Sequence, residues 1–97
     1  MNTNKHKCES LEQARNEIDQ LDQAIIELLA QRQYYVDQSV RFKNSVQDVQ
    51  APERVEQVIA KVREQAELQR LDADFVEKIY RELIQHFVQR ELKEIRP

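Results

Sequence analysis

The fold is decided by residues 10–43, which read SLEQARNEIDQLDQAIIELLAQRQYYVDQSVRFK. Apolar side chains recur in this stretch every three or four residues, the spacing that lines one face of an α-helix. They are Leu11, Ala14, Ile18, Leu21, Ile25 and Leu28, and Tyr35 and Phe42 continue the same face, each seven residues further on. Ser10 stands in the N-cap position, and Gln13 follows three residues later, as in a capping box. The pattern predicts one helix of roughly 33 residues, about 50 Å long, that ends near Lys43.

The rest of the chain is also predicted to be helical. The 97 residues contain no glycine, and β-hairpin turns, phosphate-binding loops and dinucleotide-binding motifs all rely on glycine. An all-α chain is therefore expected, with a second helix over 52–69 and a third over 73–95. Asp72 is the expected N-cap of the third helix.

The segments between and before these helices are predicted to be irregular. Residues 44–51 precede Pro52, and a residue before proline disfavours the helical conformation, so we expect a loop there. Residues 1–9 are polar and show no periodicity, so a disordered N-terminal tail is expected. Residues 10–97 then form a single helical domain.

Composition excludes several classes of function. Fifteen Lys and Arg against eighteen Asp and Glu give a net charge of −3, whereas nucleic-acid binding usually needs a basic excess. No apolar run of about 18 residues exists for a membrane span. Cys8 is the single cysteine, so no intrachain disulfide can form, and a cytoplasmic location is expected. No nucleic-acid or membrane partner is predicted.

The length of the first helix predicts a homodimer. A compact monomer of this size is roughly 30–35 Å across, so a helix of about 50 Å would extend beyond it with its apolar stripe uncovered. A second copy of the chain, related by a two-fold axis, is the simplest cover for that stripe. We therefore expect an intertwined helical homodimer.

Four charged residues lie on helix faces that are otherwise apolar. Arg32 follows Leu28 by four residues where the repeat calls for an apolar side chain, and Lys43 lies about three turns further on the same face. Glu91 lies on the apolar face of the third helix, and Arg15 precedes Arg32 by seventeen residues. Any one of these is explained by a side chain that reaches solvent or sets helix register.

Together, these charges predict a pocket for a small anionic ligand, because buried charges need partners. Arg15 and Arg32 are about 25 Å apart along one helix, so a small ligand can meet both only if they come from two antiparallel copies. His6 and His86 lack further ligands at metal-binding spacing, so no metal site is predicted.

The same residues carry a resemblance to a known family. Residues 14–22, ARNEIDQLD, and 25–32, IIELLAQR, resemble the first helix of the all-helical (AroQ-type) chorismate mutases. The segments 42–43, 51–55 (APERV), 71–76 and 91–92 continue the likeness in order, over roughly residues 10–95. Within the family, the APERV segment is most similar to the isochorismate pyruvate-lyases.

The resemblance implies an intertwined three-helix dimer with two sites and no cofactor or metal. Arg15 of one subunit and Arg32 of the other would bind the two carboxylates of a dianionic substrate. Lys43 would contact a carboxylate and the ether oxygen of the breaking bond, and Glu91 would hydrogen-bond that oxygen. Arg54 would be a further cation in the pocket.

The resemblance leaves the reaction open between two activities. Many mutases carry an acidic residue where this chain has Val55, as the lyase-like group does, whereas that group has Gln where this chain has Glu91. Chorismate mutase is the favoured interpretation, and isochorismate pyruvate-lyase, or both activities, is the alternative. A third alternative is a helical dimerisation module without catalytic activity.

Overall fold

The structure is a computed structural model that describes residues 5–94 of the chain. Its regular elements are all helical: α1 (Leu11–Val40), α2 (Val46–Gln50), α3 (Pro52–Leu68) and α4 (Ala73–Glu94). No strand occurs among these described residues, which confirms for them the predicted all-α class. The predicted end of the last helix at Ile95 lies outside the described residues.

Helix α1 begins at the predicted cap. The Ser10 hydroxyl accepts a hydrogen bond from the Gln13 N–H at 3.0 Å, and the Gln13 side chain accepts one from the Glu9 N–H at 2.6 Å. The helix ends at Val40, three residues before the predicted end at Lys43. The backbone tightens where the helix ends: the Lys43 N–H bonds to the Val40 carbonyl at 3.0 Å, three residues back.

The predicted loop over 44–51 contains a one-turn helix, α2, so that prediction is wrong for Val46–Gln50. Ser45 caps this turn by accepting a hydrogen bond from the Asp48 N–H at 3.1 Å, and Asp48 accepts one from the Asn44 N–H at 3.0 Å. Val49, which is buried, anchors the turn. Pro52 disfavours a helical conformation at Ala51 alone, which adopts left-handed backbone angles (φ 34°, ψ 63°) and separates α2 from α3.

Helices α3 and α4 pack against each other as an antiparallel pair. The direction follows from their ion pairs: Glu56 near the start of α3 meets Arg81, whereas Arg63 further along meets Asp74 and Glu77 near the start of α4. The predicted cap Asp72 accepts hydrogen bonds from the N–H groups of the first α4 turn. The buried apolar residues of the described chain are Val49, Ile59, Val62, Ala66 and Phe87.

The described chain divides between Tyr34 and Tyr35 into two compact units. The first unit contains α1 up to Tyr34. The second contains the last turns of α1 together with α2, α3 and α4, and every buried residue named above belongs to it. None of the residues of α1 is buried in the single described chain.

Candidate functional site

Lys43 and Glu91, 48 residues apart in sequence, form an ion pair in the second unit. The Lys43 Nζ donates to Oε2 of Glu91 at 2.7 Å. Lys43 follows the tightened end of α1, and Glu91 lies near the end of α4, one turn after the buried Phe87. Glu91 is 5% exposed and is the one buried charged or polar residue of positions 5–94. A buried carboxylate is costly unless it is paired, so Lys43 is the partner that makes its position tolerable.

This pair determines what the two groups can do chemically. An ammonium group carries three donors on a flexible stem, so Lys43 can bind an anionic oxygen while it still contacts Glu91. The carboxylate form of Glu91 only accepts hydrogen bonds, whereas the neutral acid can donate one. A ligand at this end of α4 would therefore meet the Lys43 cation and the Glu91 carboxyl group. Glu91 would accept a hydrogen bond when ionised and could donate one when protonated.

The other predicted site residues lie elsewhere on the chain. Arg54 is in the first turn of α3 and is exposed. Arg15, which is exposed, and Arg32, which is half-buried, both lie on α1 in the first unit. Because these two are seventeen residues apart on one helix, roughly 25 Å separates them within a single chain. Of the five predicted residues, the structure thus shows Lys43 and Glu91 in direct contact.

A second ion pair beside the first was not predicted from the sequence. The Arg90 guanidinium binds the Asp37 carboxylate through two parallel hydrogen bonds, Nε to Oδ1 at 3.2 Å and Nη2 to Oδ2 at 3.0 Å. The hydrogen bond from Arg90 holds the pKa of Asp37 below its ordinary value of 3.8. Asp37 lies 53 residues from Arg90, so no local pattern in the sequence indicates this pair. The one signal is that Arg90 directly precedes Glu91.

A cleft of about 330 Å³ lies between the end of α2, the start of α3 and the middle of α4. Its apolar lining residues are Val55, Ile84 and Val88, and its polar lining residues are Gln50, Arg81, Gln85 and Gln89.

Neither a metal site nor a membrane-spanning helix is found in residues 5–94. They contain no group of three His, Cys, Asp or Glu side chains that could hold a metal ion. In the same range, no helix has both the length and the apolar character needed to cross a membrane.

The chain is similar to known proteins over most of its length. The family model for chorismate mutase type II matches residues 14–92, which include both members of the Lys43–Glu91 pair. A curated relative, the isochorismate pyruvate lyase of Pseudomonas aeruginosa, is 35% identical over 86 residues. The aligned region covers 89% of this chain and 85% of that protein.

Proposed function

The chain belongs to the type II chorismate mutase family, and on that premise we propose that it converts chorismate to prephenate. The observation that carries this proposal is the contact between Lys43 and the buried Glu91 at 2.7 Å. Both residues occupy positions to which the family resemblance assigns a role at the ether oxygen of the substrate. A buried ion pair is often no more stabilising than well-packed apolar residues of similar size, so its presence at the end of α4 favours a role in function over one in stability.

The reaction is pericyclic, so the protein needs no nucleophile and acts by holding a reactive conformer and stabilising developing charge. In this proposal the Lys43 ammonium binds a substrate carboxylate and the ether oxygen, on which negative charge grows as the C–O bond breaks. Glu91 hydrogen-bonds the same oxygen once it carries a proton, since only the acid form is a donor. Arg32 binds one carboxylate of the dianion, and Arg54 is a further cation of the pocket.

We infer that the functional form is a homodimer in which Arg15 of one subunit completes the site of the other. Support comes from α1, about 45 Å long, whose apolar side chains are uncovered in the single chain: Leu21 is 60% exposed and Ile25 is 53% exposed. A second copy of α1 carries a matching apolar face and a second Arg15. Residues 10–97 would then act as one domain of the dimer.

Isochorismate pyruvate-lyase is the second candidate, and two observations favour it. The curated relative that is 35% identical carries that name, and Val55 places an apolar group at the cleft where many mutases have an acid. The two substrates differ in the position of the ring hydroxyl, so the groups beside that hydroxyl are expected to select between them. The same cationic residues would serve either reaction, because both break an enolpyruvyl C–O bond.

The test is to supply the purified protein with chorismate and isochorismate separately and to measure prephenate, salicylate and pyruvate. The protein should be expressed in a host that lacks its own chorismate mutase. Prephenate from chorismate supports the first candidate, and salicylate with pyruvate from isochorismate supports the second. Lys43→Met should abolish the activity, whereas the matched control Lys78→Met, at an exposed position of α4, should retain it. Turnover of neither substrate would favour the inert dimerisation module.

A further inference from the structure

Two ion pairs join the end of α1 and the turn after it to the end of α4. In one pair α4 supplies the cation, and in the other it supplies the anion. Arg90 and Glu91 are consecutive on α4. The first binds Asp37 of the last α1 turn, and the second binds Lys43 just beyond that turn. The Asp37–Arg90 pair is more exposed, with about two fifths of each side chain accessible, whereas Glu91 is almost fully buried.

After Asp37, the end of α1 and the residues up to Lys43 are closed by three short hydrogen bonds. Three successive N–H groups bond to carbonyls three residues back: Arg41 to Gln38 at 3.3 Å, Phe42 to Ser39 at 3.1 Å and Lys43 to Val40 at 3.0 Å. Such bonds restrict the backbone angles of each residue in the turn. Asp37 shares the last turn of α1 with the three carbonyl groups that accept these bonds, so a restraint on that turn also acts on the backbone of Lys43.

Lys43 needs such a restraint more than Glu91 does. Glu91 is held by the helix and by the packing around Phe87, whereas Lys43 lies after the last residue of α1 and carries a long side chain with many rotamers. A shift of the turn would therefore lengthen the 2.7 Å contact between Nζ and Oε2. The two parallel hydrogen bonds of Asp37 with Arg90 fix orientation as well as distance.

We propose that the Asp37–Arg90 pair is a positioning device that holds Lys43 against Glu91. Neither Asp37 nor Arg90 touches the reacting atoms in this proposal; both act through the turn that carries Lys43. The catalytic consequence rests on the function proposed above, but the positioning itself does not. Two experiments therefore separate the two claims.

The first experiment measures how well the Lys43 amine is protected from acetic anhydride, with the acetylated peptides quantified by mass spectrometry. Asp37→Asn should raise the acetylation rate of Lys43 about two- to five-fold, the range expected for the loss of one exposed ion pair. The matched control is Glu56→Gln, which breaks a paired carboxylate bound to Arg81 between α3 and α4. It should leave the Lys43 rate unchanged, and Lys78 serves as the internal standard. An unchanged Lys43 rate in Asp37→Asn would overturn the positioning role.

The second experiment measures steady-state kinetics with whichever substrate the wild type turns over. Asp37→Asn and Arg90→Gln should each lower kcat about two- to five-fold with little change in KM, and the double variant should be no worse than either alone. The reversed pair, Asp37→Arg with Arg90→Asp, should recover most of the lost rate. Glu56→Gln should keep the wild-type kcat. Equal losses in Glu56→Gln, or no recovery in the reversed pair, would show a general structural effect and would overturn the proposal.

A wild-type protein that turns over neither substrate would refute the proposed function alone. The acetylation experiment would still decide whether Asp37 and Arg90 position Lys43, because it needs no turnover.

Discussion

Replacing Lys43 by Met leaves the Glu91 carboxylate without the ammonium that contacts it at 2.7 Å. Removing one partner of a fully buried ion pair costs about 3–5 kcal/mol, because the remaining charge stays desolvated. Glu91 has 6% of its side chain exposed, but Lys43 has 23%, so water can reach the vacated position. We therefore expect Lys43→Met to lower the free energy of unfolding by the smaller amount of about 2–3 kcal/mol.

The loss in free energy of unfolding should depend on the charge of Glu91, and a double-mutant cycle can measure this dependence. Glu91→Gln keeps the shape of the side chain and removes its charge, so in the Lys43→Met background it should restore at least about 1 kcal/mol. The assay is urea unfolding followed by circular dichroism at pH 7.5. All variants must be compared at one protomer concentration, because the proposed dimer would make stability depend on concentration.

The control for this cycle is Lys78→Met, which removes an exposed ammonium from α4. It should change the free energy of unfolding by no more than about 0.5 kcal/mol. A loss of similar size in Lys43→Met would refute the reasoning, since it would mean that the Glu91 carboxylate does not depend on Lys43. A double variant that is no more stable than Lys43→Met would refute it as well.

Three other predictions address the site and the helix pair. Arg15→Ala and Arg32→Ala dimers should each be nearly inactive. An equal mixture should recover about a quarter of the wild-type rate, because half of the dimers are mixed and each mixed dimer keeps one intact site of two. No recovery after confirmed subunit exchange would exclude a shared site. Glu91→Gln should keep chorismate turnover, because an amide can donate a hydrogen bond to the ether oxygen, whereas Glu91→Ala should lose it. Equal losses in kcat/KM for the two variants would contradict the hydrogen-bonding role. The hydrogen bond from Arg81 holds the pKa of Glu77 below its ordinary value of 4.5, so the stability that this carboxylate contributes is present at neutral pH and is lost as pH falls below that value. Urea unfolding should show a gap between wild type and Glu77→Gln at pH 7 that closes at lower pH, and a gap independent of pH would contradict this.

Several features of the chain are determined locally and can be predicted from the sequence. The recurrence of apolar residues every three or four positions, with no glycine in the chain, is enough to specify helices. The caps at Ser10 and Asp72 are also local, because a capping side chain bonds to an N–H two or three residues away. The one-turn α2 is not predicted, although Ser45 and Asp48 have the spacing of a capping box, because the following Pro52 favours a loop.

The sequence also shows which charged residues do not fit the helical pattern. Lys43 and Glu91 are unusual because each interrupts an apolar face, and a helix repeat is sufficient to show that. Glu77, by contrast, has the spacing of an ordinary surface residue, yet it binds Arg63 and Arg81 in the structure.

The pairing of these residues was decided only by tertiary structure. A helical repeat fixes the face on which a side chain lies, but the side chain that it meets depends on the crossing of helices and on the turns that connect them. Lys43 meets Glu91 across 48 residues, and Asp37 meets Arg90 across 53. Both contacts depend on where the chain turns between Val40 and Asn44, which no periodicity in the sequence specifies. The sequence thus determined which charges need a partner, and the packing of α4 against that turn decided which partner each one has.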